Sequence, residues 1–165
     1  MERFKILGIL LILILLTVSC FKLESYPPVP AIEYIGFKII DSTDILENPV
    51  LYGELHFSFV DGDGDLGFYQ PAGVEEEDIA KTVFITPFIK TNGVFVQDTP
   101  IVPLNFRIPY FETGGNNKTL KGEIIVRDIN YYPPFNGDTL KYQFYIVDRA
   151  GNKSNVEETD VMIIE

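Results

Sequence analysis

Apolar and polar residues alternate with a period of two along most of the chain beyond residue 30. In residues 51–60, Leu51, Leu55, Phe57 and Phe59 fall on one side, and Tyr52, Glu54, His56 and Ser58 on the other. The same alternation gathers Leu140, Tyr142, Phe144 and Ile146 on one face of a later segment, and Leu120, Gly122, Ile124 and Val126 on one face of another. This period marks half-buried strands. It predicts strands at 32–40, 51–60, 82–90, 94–97, 105–110, 120–128, 140–148 and 160–164, divided by clusters of Gly, Pro, Asn and Asp. Thr91-Asn92-Gly93 is a hairpin signal. Residues 113–118 form a polar loop with no apolar side chain, and residues 75–81 have room for one helical turn and nothing longer. There is no internal repeat, heptad or long amphipathic helix. The expectation is one all-β domain over residues 31–165, an antiparallel sandwich of seven to eight strands.

The first nineteen residues follow a different pattern. A short charged head, Met1-Glu2-Arg3-Phe4-Lys5, precedes an apolar run over residues 6–18. That run is short for a membrane-spanning helix, which needs roughly 17–25 residues, and suits the core of a signal peptide. Leu16-Thr17-Val18-Ser19-Cys20 then resembles the lipobox of bacterial lipoproteins, although Leu16 stands one position further from the cysteine than is usual. The resemblance implies that residues 1–19 are removed and that Cys20, the single cysteine, is lipidated and becomes the N-terminus. Several acyl chains on one residue make anchoring stable rather than reversible. Residues 21–30 include Pro27, Pro28 and Pro30; with Cys20 they read as a tether, semi-rigid and extended at about 3.1 Å per residue, or roughly 30 Å in all.

Removal of the leader leaves 146 of the 165 residues, enough for one domain with its own core. It takes away Arg3, Lys5 and Glu2, so the net charge moves from −11 to −12. An acidic surface of this size excludes nucleic acid as a partner, because phosphate binding needs clustered Lys and Arg. Thirteen Phe and nine Tyr with no Trp suit an aromatic, strand-rich core. Asp138-Thr139-Leu140-Lys141-Tyr142, with Phe144 two residues on, resembles the tyrosine corner of immunoglobulin-like domains. The resemblance implies an Ig-like or fibronectin-III-like sandwich, with Phe144 in the place of the disulfide cysteine.

The densest chemical signal is Asp61-Gly62-Asp63-Gly64-Asp65-Leu66-Gly67. Three carboxylates at alternate positions, with glycines between them, allow the backbone to curl until all three converge on one cation. Hard oxygen ligands select Ca²⁺. The opening resembles an EF-hand loop, but Leu66 stands where the turn glycine belongs, Ala72 where the bidentate Glu belongs, and no helix flanks it. An EF-hand is therefore rejected. Two readings remain: a strand-to-loop calcium site drawing further ligands from backbone carbonyls or residues 75–78, and a tight polar turn. A second loop, Asp148-Arg149-Ala150-Gly151-Asn152-Lys153-Ser154, follows the seventh strand. In an Ig-like sandwich the strands ending at Val60 and Val147 run the same way, which brings their loops to one end. There Asp148 and Asn152 either join Asp61, Asp63 and Asp65 around the cation or cap their own turn.

No catalytic constellation accompanies this loop. His56 is the single histidine, placed by alternation on a polar face beside Glu54 and Ser58 without an activated nucleophile. Zinc chemistry lacks its usual His and Cys ligands, and no phosphate-cradling glycine loop is present. The chain is read as a non-enzyme.

The lipobox, Phe59-Val60-Asp61-Gly62-Asp63-Gly64-Asp65-Leu66-Gly67 and Tyr145-Ile146-Val147-Asp148-Arg149-Ala150-Gly151-Asn152-Lys153-Ser154-Asn155 together resemble a family of small Bacteroidota lipoproteins. This implies a cell-envelope module, outer-membrane since Phe21 rather than Asp follows the cysteine. It also implies an O-glycosylation pattern, matched by Asp41-Ser42-Thr43 and Asp138-Thr139-Leu140, with Ser42 the favoured site. The expected function is a non-catalytic structural or interaction module, calcium-stabilised at one end. The alternative is a carbohydrate- or protein-binding accessory that uses the loops at the Asp61–Asp65 end; Tyr131, Tyr132 and Phe135 then either supply aromatic contacts to a glycan or an envelope protein or, the preferred reading, pack as a loop over the sandwich edge.

Overall fold

The computed structural model describes residues 25–44, 46–75, 79–100, 102–112, 118–129 and 139–164, together with Arg3. Within residues 25–164 every regular element is a strand: β1 (Ala31–Thr43), β2 (Pro49–Asp61), β3 (Val83–Thr91), β4 (Val94–Gln97), β5 (Leu104–Phe106), β6 (Leu120–Ile129), β7 (Thr139–Ile146), β8 (Glu157–Glu158) and β9 (Met162–Ile163). They form two antiparallel sheets. The smaller has the order β1-β2-β6; the larger has the order β4-β3-β7-β8, with β5 also on β3 and β9 also on β7.

The larger sheet counts six strands but is four strands wide. β7 occupies one edge of β3 over Val83–Ile89, so β5, at Val83–Ile85, and β4, at Phe88–Thr91, share the other. Likewise β8 and β9 follow one another along the free edge of β7. This corrects two sequence expectations. The stretch 105–110 is a strand only to Phe106, and the expected strand at 160–164 keeps only Met162–Ile163, with the unexpected short strand Glu157–Glu158 before it; short interrupted edges of this kind leave little backbone open to stray pairing. The β3–β4 turn is as expected: Asn92 and Gly93 both have positive φ, 52° and 83°, as a two-residue type I′ hairpin requires.

The period-two faces meet in the middle. Leu55, Phe57 and Phe59 of β2 pack with Leu140, Tyr142, Phe144 and Ile146 of β7 and with Val83 and Ile85 of β3 in one buried cluster. Phe57 and Phe144 are fully buried, with ring centroids 5.3 Å apart, and this contact joins the two sheets at their centres. Tyr142 stacks on Phe37 at 5.1 Å, and burial raises its phenol pKa. The residues upstream, to which a corner hydroxyl would bond, lie in 130–138, outside the described residues. Alternation fails late in β6: Asp128 has φ 59° and the pairing with β2 shifts between Gly53 and Leu55, so Ile129, not Asp128, turns inward.

Strand directions fix two ends. β2 finishes at Asp61, opposite Leu120 at the start of β6, and Val60 pairs with Ala31 at the start of β1. At the other end lie the 44–48 turn and Ile129, where β6 stops. Replacing Phe144 by Ala is expected to destabilise the domain by about 3–5 kcal/mol through a cavity between the sheets; a lowered urea midpoint measures it, and an unchanged midpoint contradicts the packing.

Candidate metal centre

The alternation that buries Leu55, Phe57 and Phe59 continues one step further and delivers Asp61 to the same interior face. Its residue exposure is 0%. A carboxylate in that position needs partners, since desolvating a charge is costly unless it is compensated. One oxygen has one: Asp61 Oδ2 accepts a hydrogen bond from the Leu66 amide at 2.9 Å, which closes the loop on itself. Leu66 is buried beneath it. Gly67 ends the loop with φ 86°, so close to the Pro109 carbonyl that a Cβ would stand 2.2 Å from its oxygen. No other residue fits there.

The second loop arrives from β7, as the strand directions require. The Arg149 amide donates to the Asp65 carbonyl at 3.2 Å, and the Ala150 amide to Asp65 Oδ2 at 3.0 Å. The Arg149 guanidinium lies over the Tyr110 ring, 5.1 Å from its centroid, and donates to the carbonyls of Gly67 at 2.6 Å and Leu66 at 3.3 Å. This cation therefore pins the loop backbone rather than pairing with the carboxylates.

What remains is the inward side of the loop. Asp61, Asp63 and Asp65 each offer an oxygen within 4.8 Å of the other two. Oδ1 of each is shielded from solvent and has no hydrogen-bond partner among the described residues. Two oxygens bound to one ion at about 2.3–2.6 Å can stand at most about 5 Å apart, so the spacing fits a single cation, and the cluster could hold a metal ion. The electrostatics agree. Burial, with the charges of Asp63 and Asp65 adding to it, pushes the Asp61 pKa up to about 6. Asp65 is also raised, first by burial and then by the charges of Asp148 and Asp63.

Asp148 and Asn152 lie beside this cluster and are bonded to each other. The Asn152 amide donates to Asp148 Oδ1 at 2.7 Å, and Asn152 Nδ2 to Asp148 Oδ2 at 2.8 Å. Both Asp148 oxygens are thus engaged in capping the turn, and the residue borders the cluster. Ser42 is exposed near the end of β1, paired with Val50, not in a loop. His56 bonds Glu123 at 2.8 Å on the outer face of the smaller sheet. Cys20, residues 76–78, and Tyr131, Tyr132 and Phe135 lie outside the described residues. β6 ends at Ile129, paired with Gly53, and β7 begins at Thr139, paired with Ile163. Among the described residues, Tyr69 (69% exposed) and Tyr110 (44%) are exposed aromatics near the loop, edge to face at 6.4 Å, and Phe111 (40%) follows Tyr110. Sequence reasoning missed these and the clamping role of Arg149; the Phe-Tyr and Tyr-Phe doublets at 68–69 and 110–111 were the available signal.

No known family model, curated protein or solved structure matches the chain.

The Asp61 shift sets a pH dependence for the metal-free domain. Its folded pKa, about 6, exceeds the ordinary 3.8. Protonation therefore favours the fold fully below about pH 4, and this contribution is lost as pH rises through 6. Relative to wild type, chelator-treated Asp61→Asn should gain stability as pH rises from 4 to 7, on the order of 3 kcal/mol at about 1.36 kcal/mol per unit. Parallel melting profiles across that range would contradict the inward placement of this charge.

Proposed function

We propose that the chain is a non-catalytic structural or interaction module of the bacterial cell envelope, lipid-anchored at Cys20 and stabilised by Ca²⁺ in the Asp61–Asp65 loop. One observation carries the calcium reading: Asp61, Asp63 and Asp65 each bring an oxygen within 4.8 Å of the other two, and each has a shielded Oδ1 with no hydrogen-bond partner among the described residues. Such groups are destabilising unless a cation compensates them. An all-oxygen set on an irregular loop suits Ca²⁺, which accepts flexible geometry, better than Mg²⁺, which demands a near-ideal octahedron and retains water. Asp61 is fully buried at the end of a core strand, so an ion held by it would be tied to the core, which supports a structural role.

The finer fold belongs to the same proposal. With β5 set aside and β8 and β9 taken together, the strands in chain order read A, B, C, C′, E, F and G, and the two sheets correspond to ABE and C′CFG, an Ig-like arrangement of the fibronectin-III kind. Phe57 and Phe144 then occupy the B and F strands that a disulfide joins in antibody domains. The lipobox and the Pro-rich segment support anchoring in the outer membrane. A second reading, a glycan- or protein-binding accessory, draws on the exposed Tyr69–Tyr110 pair beside the loop; calcium-dependent hits on a glycan array would favour it.

At a free Ca²⁺ concentration one hundred times Kd, binding adds about 2.7 kcal/mol, equivalent to a rise in Tm of roughly 5–10 °C for a domain of this size. Asp63→Asn is expected to abolish that rise. An identical Tm in millimolar Ca²⁺ and in chelator would remove the calcium reading.

A further inference from the structure

The loop that gathers the three carboxylates is also where the N-terminal segment is fastened. The Gly62 amide, between Asp61 and Asp63, donates to the Pro27 carbonyl at 3.0 Å. The two backbones are so close that a Cβ on Gly62 would lie 2.3 Å from the carbonyl oxygens of both Tyr26 and Pro27. On the other side Thr119 Oγ1 donates to the Gly62 carbonyl at 3.2 Å, and Lys121, two residues on, holds its ammonium 5.6 Å from the centroid of the Tyr26 ring. Pro30 is fully buried and the Ile32 backbone is bonded at both its amide and carbonyl by the Asn155 side chain, so the chain is seated from Tyr26 onward.

We propose that cation binding by Asp61, Asp63 and Asp65 and docking of Tyr26 and Pro27 are thermodynamically linked, so that the ion acts as a clasp on the tether. This rests on the reading that the loop binds Ca²⁺. Gly62 is the shared part. Its conformation sets where the Asp61 and Asp63 side chains point, and the same conformation places its amide under Pro27. Without a cation the like charges push the loop open and loosen the amide from its carbonyl. With the cation the loop is drawn in and the amide is held against Pro27. The linkage is reciprocal: whatever undocks Tyr26 and Pro27 must weaken the ion by the same factor. Undocking residues 25–27 would lengthen the free spacer by roughly 10 Å at about 3.1 Å per residue and release the domain's orientation over its anchor.

The test uses the full chain in detergent micelles, with calorimetric titration of Ca²⁺ and hydrogen exchange read at the Gly62 amide. Wild type is expected to bind one Ca²⁺, with Gly62 exchange slowed on binding. Gly62→Ala keeps all three carboxylates but builds a methyl into the Tyr26 and Pro27 carbonyls, and is expected to weaken Ca²⁺ on the order of tenfold. Tyr26→Ala removes the ring held by Lys121 and adds no atom at Gly62, and is expected to weaken Ca²⁺ in the same direction with the fold intact. Wild-type binding with unchanged affinity in both variants overturns the linkage and leaves the calcium site standing. No binding by wild type overturns both.

Discussion

Three carboxylate oxygens turned toward one another at the end of β2 impose the constraint around which this end of the molecule is built. Asp61 is carried inward by the strand period, and Asp63 and Asp65 are returned to it by a loop that Leu66 plugs from below. Like charges at this spacing drive a loop apart, so something must hold it. Main-chain hydrogen bonds supply part of the answer: Arg149 grips the carbonyls of Leu66 and Gly67, and the amides of Arg149 and Ala150 take up Asp65. None of these donors reaches the inward Oδ1 atoms. A hard cation is the simplest group that satisfies all three.

The rest of the fold prepares that arrangement. Phe57 and Phe144 join the two sheets through their centres, with β2 and β7 facing each other across the core, and the bonds from Arg149 and Ala150 to Asp65 show that both strands finish at the same end. Their following loops therefore leave at one end, and the turn capped by Asp148 and Asn152 is delivered to the Asp loop with its amides facing outward to donate. Asp148, bonded to Asn152, borders the Asp loop. It shapes the turn that presents Arg149 and Ala150, and its charge raises the proton affinity of Asp65.

Much of this was legible in the sequence because it is local. A period of two is enough to assign Leu55, Phe57, Phe59, Tyr142 and Phe144 to the core, and Asn92-Gly93 is enough to place a hairpin. The Asp61–Asp65 spacing pointed to convergence, and strand parity brought the 148–152 loop to the same end. The misses are non-local. The splitting of the edge strands depends on how far β5 and β9 run beside β3 and β7, which no single segment encodes. The grip of Arg149 on Gly67 spans 82 residues, and the docking of Pro27 on Gly62 joins a proline-rich stretch, read as free spacer, to a loop far along the chain.

A crystal structure of the domain grown in Ca²⁺ tests the central claim most directly. The account predicts one strong peak among Asp61, Asp63 and Asp65, about 2.3–2.6 Å from an oxygen of each and completed by further oxygen ligands to six or more. Carboxylates splayed apart into solvent, or two of them sharing a proton with no ion between them, would contradict it.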